Sequence, residues 1–184
     1  MDELRSLIFM GLKHCGKSSL GRHIAERLNF GFEDLDHLIM KTAGNEGYGS
    51  IRELYRTVGI KNFQVYETEA LHNCLRQSSD RGLLMALGGG TVENAESMGL
   101  LGSRGYLVYI SVDEQVLYKR IIRGGIPPFL EGERGPREMF HALFERRSAL
   151  FQRYADLTIP LPDQSIQENT KLIYSKFKEE THVR

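Results

Sequence analysis

The sequence has 184 residues, 41% of them hydrophobic and 26% charged, a composition that fits one globular domain and excludes disordered, collagen-like and coiled-coil chains. Its 24 basic and 24 acidic residues cancel, its two cysteines cannot build the disulfide framework of a small secreted protein, and no apolar run reaches the roughly 18 residues that a membrane span needs. With no net charge and no membrane span, we expect no binding to nucleic acid or membranes. Because Asp2 and Glu3 stand where a signal peptide would carry positive charge, we expect a cytoplasmic domain.

Short apolar runs, which are typical of strands buried in a sheet, alternate along the chain with stretches whose apolar residues recur at helical spacing. In chain order we predict a strand at residues 6–10, a helix at 18–29, a strand at 32–36, helices at 36–42 and 63–78, strands at 82–87 and 106–110, helices at 114–122 and 137–151, a strand at 157–159 and a helix at 165–179. Strands that are apolar throughout belong to a parallel sheet covered by helices. The sequence therefore predicts a single α/β domain over residues 1–184 with a parallel sheet of about five strands.

Two polar, glycine-rich segments interrupt this pattern. The first, at residues 45–50, leads into the spacing of a capping box, with Ser50 as the N-cap and Glu53 three residues later. The second, at residues 124–136, holds four glycines and three prolines and has little to bury. At about 13 residues it is long for a connection, and such loops often act as lids. We predict a mobile lid at about residues 124–137.

Residues 11–18, named here the phosphate loop, read GLKHCGKS and match the pattern G-x-x-x-x-G-K-[ST] between a predicted strand and a predicted helix. In this pattern the glycines let backbone N–H groups surround phosphate oxygens, while the lysine reaches the β- and γ-phosphates and the hydroxyl ligates Mg²⁺. Lys17 and Ser18 take these two positions, so we predict an ATP site with Mg²⁺ as its cofactor. The predicted ATP-binding residues in this region are Gly11, His14, Cys15, Gly16, Lys17, Ser18 and Ser19.

Two features predict an acceptor site. Asp34 and Asp36 are spaced i, i+2, which in an extended segment puts both carboxylates on one face. One of them would hold the water shell of the metal and the other would take a proton from an acceptor hydroxyl. Gly88, Gly89 and Gly90, named here the glycine loop, follow a buried strand at the sheet edge where ligands bind. The simpler alternatives are a polar strand end and a flexible turn.

The ordered combination of these motifs resembles the shikimate kinase family of P-loop kinases. After the phosphate loop come D-x-D at residues 34–36, a stretch at 63–67 that matches F-R-x-x-E except at its arginine, and G-G-G at 88–90. A match to R-x-x-x-Y follows at 147–151 and A-D at 155–156, so the resemblance spans about residues 6–178. It implies a three-layer P-loop kinase fold with a five-stranded parallel sheet and a mobile lid. The implied activity is Mg-ATP-dependent phosphorylation of shikimate to shikimate 3-phosphate, in aromatic amino-acid biosynthesis.

The resemblance also implies a role for individual residues. Lys17 and Asp36 would be catalytic, with Asp36 binding the hydroxyls of shikimate and acting as the base. Asp34 would support Mg²⁺ through water, beside Ser18. The glycine loop would give backbone contacts to the substrate, Arg147 would pair with the substrate carboxylate, and Arg120 would lie against adenine.

Four positions depart from the family pattern. The arginine that grips the substrate carboxylate is replaced by Gln64, which cannot form a bidentate ion pair; Lys61, one helical turn earlier, is either a substitute cation or a solvated surface lysine. The lid motif R-P-L-L reads PPFL at residues 127–130, so its arginine is missing, and the candidates to replace it are Arg123, Arg134 and Arg137. Phe151 replaces a tyrosine, and His14 stands where the phosphate loop usually carries a glycine.

Three functions remain open at this stage. The first is a working shikimate kinase. The second is a related P-loop kinase for a different and less anionic small polyol, which Gln64 favours; gluconate kinases share the phosphate loop, but the glycine loop and Arg147 fit shikimate kinases better. The third is a nucleotide-binding module that regulates a partner without turnover, which the missing lid arginine favours. No apolar stripe is obvious, so we expect a monomer.

Overall fold

The computed structural model describes residues 6–44, 47–76 and 82–181. The strands are β1 Ser6–Met10, β2 Gly31–Asp34, β3 Leu83–Ala86, β4 Tyr106–Val112 and β5 Leu157–Leu161. The helices are α1 Lys17–Leu28, α2 Leu35–Thr42, α3 Ile51–Arg76, α4 Ala95–Gly102, α5 Glu114–Ile122, α6 Pro136–Tyr154 and α7 Ile166–Thr181, with short 3₁₀ turns at Thr91–Glu93 and Pro128–Leu130. None of the helices within these described ranges is long and apolar enough to cross a membrane.

The five strands form one parallel sheet in the order β2-β3-β1-β4-β5. The central strand β1 pairs on one side with β3, where Phe9 is opposite Ala86, and on the other with β4, where Phe9 is opposite Val108. Because all strands are parallel, their carboxyl ends meet at one edge of the sheet. That edge carries the phosphate loop after β1, Asp34 at the end of β2 and the glycine loop after β3. The predicted parallel sheet of five strands is confirmed.

Helices cover both faces of this sheet. Successive residues of a strand point to opposite faces, and Phe9 and Met10 are both completely buried. The Phe9 ring stacks on Phe177 of α7, with 6.1 Å between centroids. Tyr109, which is opposite Met10 in the register, stacks instead on Phe151 of α6 at 5.1 Å. Since α6 and α7 lie on opposite faces, the sheet forms the middle of three layers, as predicted.

Several predicted boundaries are wrong, and neither the first part of α3 nor α4 was predicted as a helix. Helix α3 begins at Ile51 instead of residue 63, and Gly59 (φ 74°) kinks it where the predicted helix had not begun. The Glu53 N–H donates to the Ser50 hydroxyl at 3.2 Å, as the capping pattern predicts. Helix α4 was missed because its eight residues include two glycines, which weaken a helical pattern. The predicted helix end at 77–78 and the break at 45–46 lie outside the described residues.

The predicted lid is an irregular segment in which Pro127 and Leu130 are buried. Residues 124–135 contain only a short 3₁₀ turn, Pro128–Leu130, before α6 begins at Pro136. Leu130 is 1% exposed, whereas Ile126 and Phe129 are 52% and 45% exposed. The expectation that this segment has little to bury is therefore wrong at Leu130, which packs into the main core. Mobility of the segment stays a prediction.

Candidate active site

The phosphate loop closes around the side-chain amine of Lys17 at the start of α1. Gly16 precedes the helix with φ 97°, a left-handed conformation that glycine adopts without steric cost. The Nζ of Lys17 donates to the carbonyl oxygens of Gly11 at 2.8 Å and Leu12 at 3.0 Å, and the side chain is buried. The loop therefore joins a buried cation to a helix N-terminus, whose free backbone N–H groups favour an anion.

Cys15 and Ser19, both predicted to bind ATP, differ in their exposure to solvent. Cys15 is buried, and its Sγ is 3.7 Å from the Lys17 Nζ. Cys15 therefore fills space inside the loop beside the Lys17 amine. Ser19 is exposed in the first turn of α1.

Arg120, predicted to lie against adenine, reaches the phosphate loop from α5. Its Nη1 donates to the backbone oxygen of His14 at 3.2 Å, and its Nη2 forms an ion pair with Asp163. His14 is exposed and has φ 66°. Burial and the charges of Lys13, Lys17 and Arg120 lower the pKa of His14. This corner of the site therefore carries several fixed positive charges, which suit a polyphosphate.

Asp34 connects the phosphate loop to α2. Its Oδ2 accepts a hydrogen bond from the Ser18 hydroxyl at 2.6 Å, and its Oδ1 accepts one from the Asp36 N–H at 3.1 Å. The second bond caps α2, so β2 ends at Asp34 and Asp36 lies in the first helical turn. The expectation that Asp34 and Asp36 share one face of an extended segment is therefore wrong, because the cap turns the chain between them.

Asp36 has the electrostatic surroundings of a proton acceptor. Burial, followed by repulsion from Asp34, raises the pKa of its carboxyl, while Lys17 and Lys13 oppose the rise. A raised pKa makes a carboxylate a stronger base.

Ser18 and Asp34 offer the kind of ligands that Mg²⁺ accepts. The ion prefers hard oxygen atoms, keeps several waters and is usually bound through one or two protein side chains together with substrate phosphates. The Ser18 hydroxyl and the Asp34 carboxylate are such oxygens, in contact at the mouth of the phosphate loop. No group of three or more His, Cys, Asp or Glu side chains suited to a metal occurs within residues 6–44, 47–76 and 82–181.

The glycine loop is the point where the parts of the site meet. A Cβ added to Gly88 would lie 2.9 Å from the Asp36 Oδ1. One added to Gly89 would lie 3.0 Å from the Lys13 backbone nitrogen, and one added to Gly90 would lie 3.3 Å from the Arg147 Nη2. Only at Gly89 would the added Cβ meet backbone, whereas at Gly88 and Gly90 it would meet the end of a side chain. None of the three glycines has a positive φ, so close approach is the reason for glycine at Gly89. The structure brings together the predicted base, the phosphate loop and the predicted carboxylate-binding arginine around three residues.

Arg147 is held at the glycine loop by Glu93, a residue that the sequence did not single out. The Nε and Nη2 of Arg147 donate to one Glu93 oxygen at 3.0 and 2.7 Å, and the Nε of Arg146 donates to the other at 2.8 Å. Although burial opposes the change, the hydrogen bonds and charges of Arg147 and Arg146 lower the pKa of Glu93. No sequence signal joins Glu93 to Arg147, because they are 54 positions apart.

A buried polar network fixes the glycine loop to α3, and sequence reasoning missed most of it. Glu67 is 3% exposed and accepts hydrogen bonds from the Thr91 hydroxyl at 2.6 Å and the Asn94 amide at 2.9 Å. The same amide donates to the backbone oxygen of Gln64 at 3.1 Å. Burial raises the pKa of Glu67 against the effect of its two hydrogen bonds. Thr91 directly follows the glycine loop and Asn94 lies three residues further on, so the network ties the segment after that loop to α3.

Several side chains lie at the remaining positions where the sequence differs from the family pattern, or are candidates to replace the residues missing there. Gln64 is half-buried on α3, and Lys61 is exposed, which agrees with a solvated lysine. Phe151 is completely buried against Tyr109. The three candidate lid arginines, Arg123, Arg134 and Arg137, are all exposed. Arg137 pairs with Glu114 at 3.3 Å and lies 4.7 Å from the ring centroid of Tyr118.

Known proteins with similar sequences point in one direction. The model of the shikimate kinase family matches residues 13–178. The shikimate kinase of Aeromonas salmonicida is 32% identical over 165 residues, which cover 90% of this chain and 92% of that protein. Shikimate kinase 1 of an Enterobacter species is also 32% identical over 165 residues, 90% of this chain and 91% of that protein.

Solved structures give the same result. A shikimate kinase from Acinetobacter baumannii in complex with shikimate has a TM-score of 0.83 and 25% identity, with 100% of this chain and 97% of that one covered. The shikimate kinase of Aquifex aeolicus has a TM-score of 0.75 and 23% identity, over 97% of this chain and 99% of that one. At that identity the second likeness shows the fold alone.

Proposed function

The chain belongs to the shikimate kinase family, and we propose that it transfers the γ-phosphoryl group of ATP to a hydroxyl of shikimate. The observation that carries this proposal is the meeting of Asp36, the phosphate loop and Arg147 around the glycine loop. A phosphate site, a base and a carboxylate-binding cation are the three things that such a transfer needs. The product is shikimate 3-phosphate, and the enzyme serves aromatic amino-acid biosynthesis.

In this proposal the protein aligns two substrates and stabilises charge, because the transition state of phosphoryl transfer is loose. The hydroxyl oxygen bonds to the γ-phosphorus as the bond to the leaving ADP oxygen breaks, and the hydroxyl proton moves to Asp36. Lys17 and the N–H groups of the phosphate loop, with Ser19 at its edge, stabilise charge on the phosphate oxygens. Arg120 borders the adenine, and Arg147 binds the carboxylate of shikimate.

The Mg²⁺ that accompanies ATP would be held by the Ser18 hydroxyl and, through water, by Asp34. When bound, it supplies positive charge to the β- and γ-phosphate oxygens. The contact between Ser18 and Asp34 at 2.6 Å supports this assignment.

We assign the whole chain to one kinase domain whose lid, at about residues 124–137, closes over the site and excludes water. Arg137 already contacts Glu114 and Tyr118, so Arg123 and Arg134 are the better candidates for the missing lid cation. The enzyme acts as a monomer in the cytoplasm, where ATP is available. Light scattering at micromolar concentration tests the monomer.

A different, less anionic polyol is the second candidate acceptor, and Gln64 is the residue that favours it. The test is identification of the product by mass spectrometry and phosphorus NMR after incubation with Mg-ATP and either shikimate or gluconate. We expect phosphorylated shikimate. Phosphorylated gluconate without phosphorylated shikimate would establish the second candidate, and turnover of neither acceptor would support a binding module.

Restoring the family arginine at Gln64 should strengthen shikimate binding. We expect Gln64→Arg to lower the KM for shikimate by about one to two decades with little change in kcat, because a charge-assisted hydrogen bond contributes about 1.5–3 kcal/mol and the carboxylate is remote from the reacting hydroxyl. Steady-state kinetics at saturating Mg-ATP measure this change.

Val65→Arg is the matched control, since it adds the same charge at a neighbouring side chain that is 63% exposed. An unchanged KM in Gln64→Arg means that a cation such as Lys61 already serves the carboxylate, or that shikimate is not the acceptor. Gln64→Arg with Lys61→Gln separates these two explanations.

A side chain on the glycine loop should misalign the site. A Cβ at Gly89 would lie 3.0 Å from a backbone nitrogen of the phosphate loop, and we expect Gly89→Ala to lower kcat about 10²-fold, the effect of a displacement near 1 Å. Gly99→Ala is the control, because that glycine lies in α4 with no heavy atom of a neighbour within 4 Å of an added Cβ. Equal activity of both variants would contradict the proposed site.

A further inference from the structure

Glu93 lies between the glycine loop and the two arginines of α6. It ends the 3₁₀ turn that follows the glycine loop, and its N–H donates to the Gly90 oxygen at 3.0 Å. Its carboxylate uses one oxygen for Arg147 and the other for Arg146. The side chains of Arg147 and Glu93 are 21% and 25% exposed, whereas that of Arg146 is 60% exposed. The ion pair of Arg147 with Glu93 is therefore better shielded from solvent than that of Arg146 with Glu93. Salt in the solvent screens a partly buried ion pair less than an exposed one.

The contacts with Glu93 use one edge of the Arg147 guanidinium. They engage Nε and Nη2 and do not engage Nη1. The Nη2 and Nη1 atoms lie 3.3 and 4.0 Å from the position of a Cβ on Gly90. The edge formed by Nε and Nη2 therefore contacts Glu93, while the two terminal nitrogens, Nη2 among them, also lie close to the glycine loop.

The charges of this cluster do not cancel. Two arginines and one glutamate leave a net positive charge, so the cluster still attracts a carboxylate. A free arginine side chain carries rotamer entropy, part of which is lost when it binds. A carboxylate that fixes the arginine beforehand removes that cost from substrate binding.

We infer that Glu93 is a positioning residue, which fixes Arg147 so that the terminal nitrogens of its guanidinium meet the carboxylate of the acceptor. This inference rests on the proposed function, in which Arg147 binds that carboxylate. Glu93 itself does not touch the acceptor. The competing role is a substitute for the acceptor carboxylate, in which Glu93 occupies Arg147 and must be displaced.

The two roles predict opposite changes in binding. If Glu93 positions Arg147, Glu93→Ala raises the KM for shikimate about tenfold and leaves kcat and the KM for ATP within about twofold. Glu93→Gln, which keeps the shape and one acceptor oxygen, gives a smaller rise. Glu145→Gln is the matched control, because it removes an exposed carboxylate next to Arg146 in sequence, and we expect it to change the KM less than twofold.

A second acceptor separates positioning from a general defect. The carboxamide analogue of shikimate has no charge for Arg147, so Glu93→Ala should leave its kcat/KM within about twofold while that of shikimate falls. Thermal unfolding of each variant shows whether it folds, and Glu93→Gln carries the test if Glu93→Ala does not fold.

Three outcomes would overturn the inference. A lower KM for shikimate in Glu93→Ala would establish the competing role. An unchanged KM would mean that the contact of Glu93 with Arg147 does not affect shikimate binding. An equal loss with shikimate and its carboxamide would mean a structural defect. All three require an active parent enzyme; a parent that does not phosphorylate shikimate would refute the proposed function itself and the inference with it.

Discussion

Lys17→Ala should abolish phosphorylation of shikimate, with kcat at least about 10³-fold below that of the parent. Removing one neutral donor from a site that stabilises developing charge costs about 10²–10³ in kcat, and Lys17 contributes a full charge. Its amine is buried between the carbonyl oxygens of Gly11 and Leu12, so no flexible surface group has the same access. A coupled assay of ADP release at saturating shikimate measures the loss.

Lys13→Ala is the matched control for this experiment. Lys13 belongs to the same loop and carries the same charge, but its side chain is exposed, and we expect kcat to fall less than about tenfold. Thermal unfolding with and without ADP establishes that both variants fold. Activity of Lys17→Ala within a few-fold of the parent would show that the phosphate loop is not the ATP site.

Asp36→Asn should reduce kcat by about 10²–10⁴-fold while the KM for ATP changes little. The amide keeps the shape of the carboxyl group, but it neither accepts the hydroxyl proton nor carries charge. In the parent, kcat/KM for shikimate should fall as the pH drops through the raised pKa of Asp36, because only the ionised carboxylate accepts the proton. Steady-state kinetics across the acidic range test both statements. The fall of kcat/KM at low pH, named here the acidic limb, should be absent in the variant.

The same substitution should make the fold more stable at neutral pH. The pKa of Asp36 is raised in the folded protein, so the ionised carboxylate is disfavoured there relative to the unfolded chain. This destabilisation is fully present above the raised pKa and disappears below the ordinary aspartate pKa of about 3.9. Asp36→Asn should therefore have a higher Tm than the parent at pH 7, and the difference should shrink towards pH 3.

A large loss of nucleotide affinity in Asp36→Asn would contradict this division of roles. Asp36 would then be the group that supports the metal, and Asp34 would be the base. The matched variant is Asp34→Asn, which should weaken binding of Mg-ATP more than it changes the acidic limb. An unchanged kcat in Asp36→Asn would remove Asp36 from the reaction altogether.

The core of the fold was predictable because local signals and global structure agree there. The run Ser6–Met10 is apolar on both faces, as a central parallel strand must be, and the phosphate loop carries its own turn chemistry. The end of β2 was not predictable by the same means. A capping hydrogen bond from the Asp36 N–H to Asp34 decides where the strand stops, and such a bond leaves no trace in hydrophobic periodicity.

Site residues were predictable from the sequence where they belong to a short motif. Contacts between segments that are distant in the sequence were not. Lys17, Ser18 and Asp34 came from short patterns, and the structure joins Ser18, the neighbour of Lys17 in the chain, to Asp34 by a hydrogen bond. The contact of Glu93 with Arg147 depends on how α6 packs beside the turn after the glycine loop. The burial of Leu130 in the predicted lid likewise depends on tertiary packing, which a glycine- and proline-rich composition does not encode.

The central claim is that this chain phosphorylates shikimate, and the most direct measurement is the initial rate of ADP release from Mg-ATP with and without shikimate. The account predicts slow release in the absence of an acceptor, a rise of at least about 10²-fold at saturating shikimate, and one shikimate 3-phosphate formed for each ADP. A rate that does not change when shikimate is added, in a protein that folds and binds ATP, would contradict it.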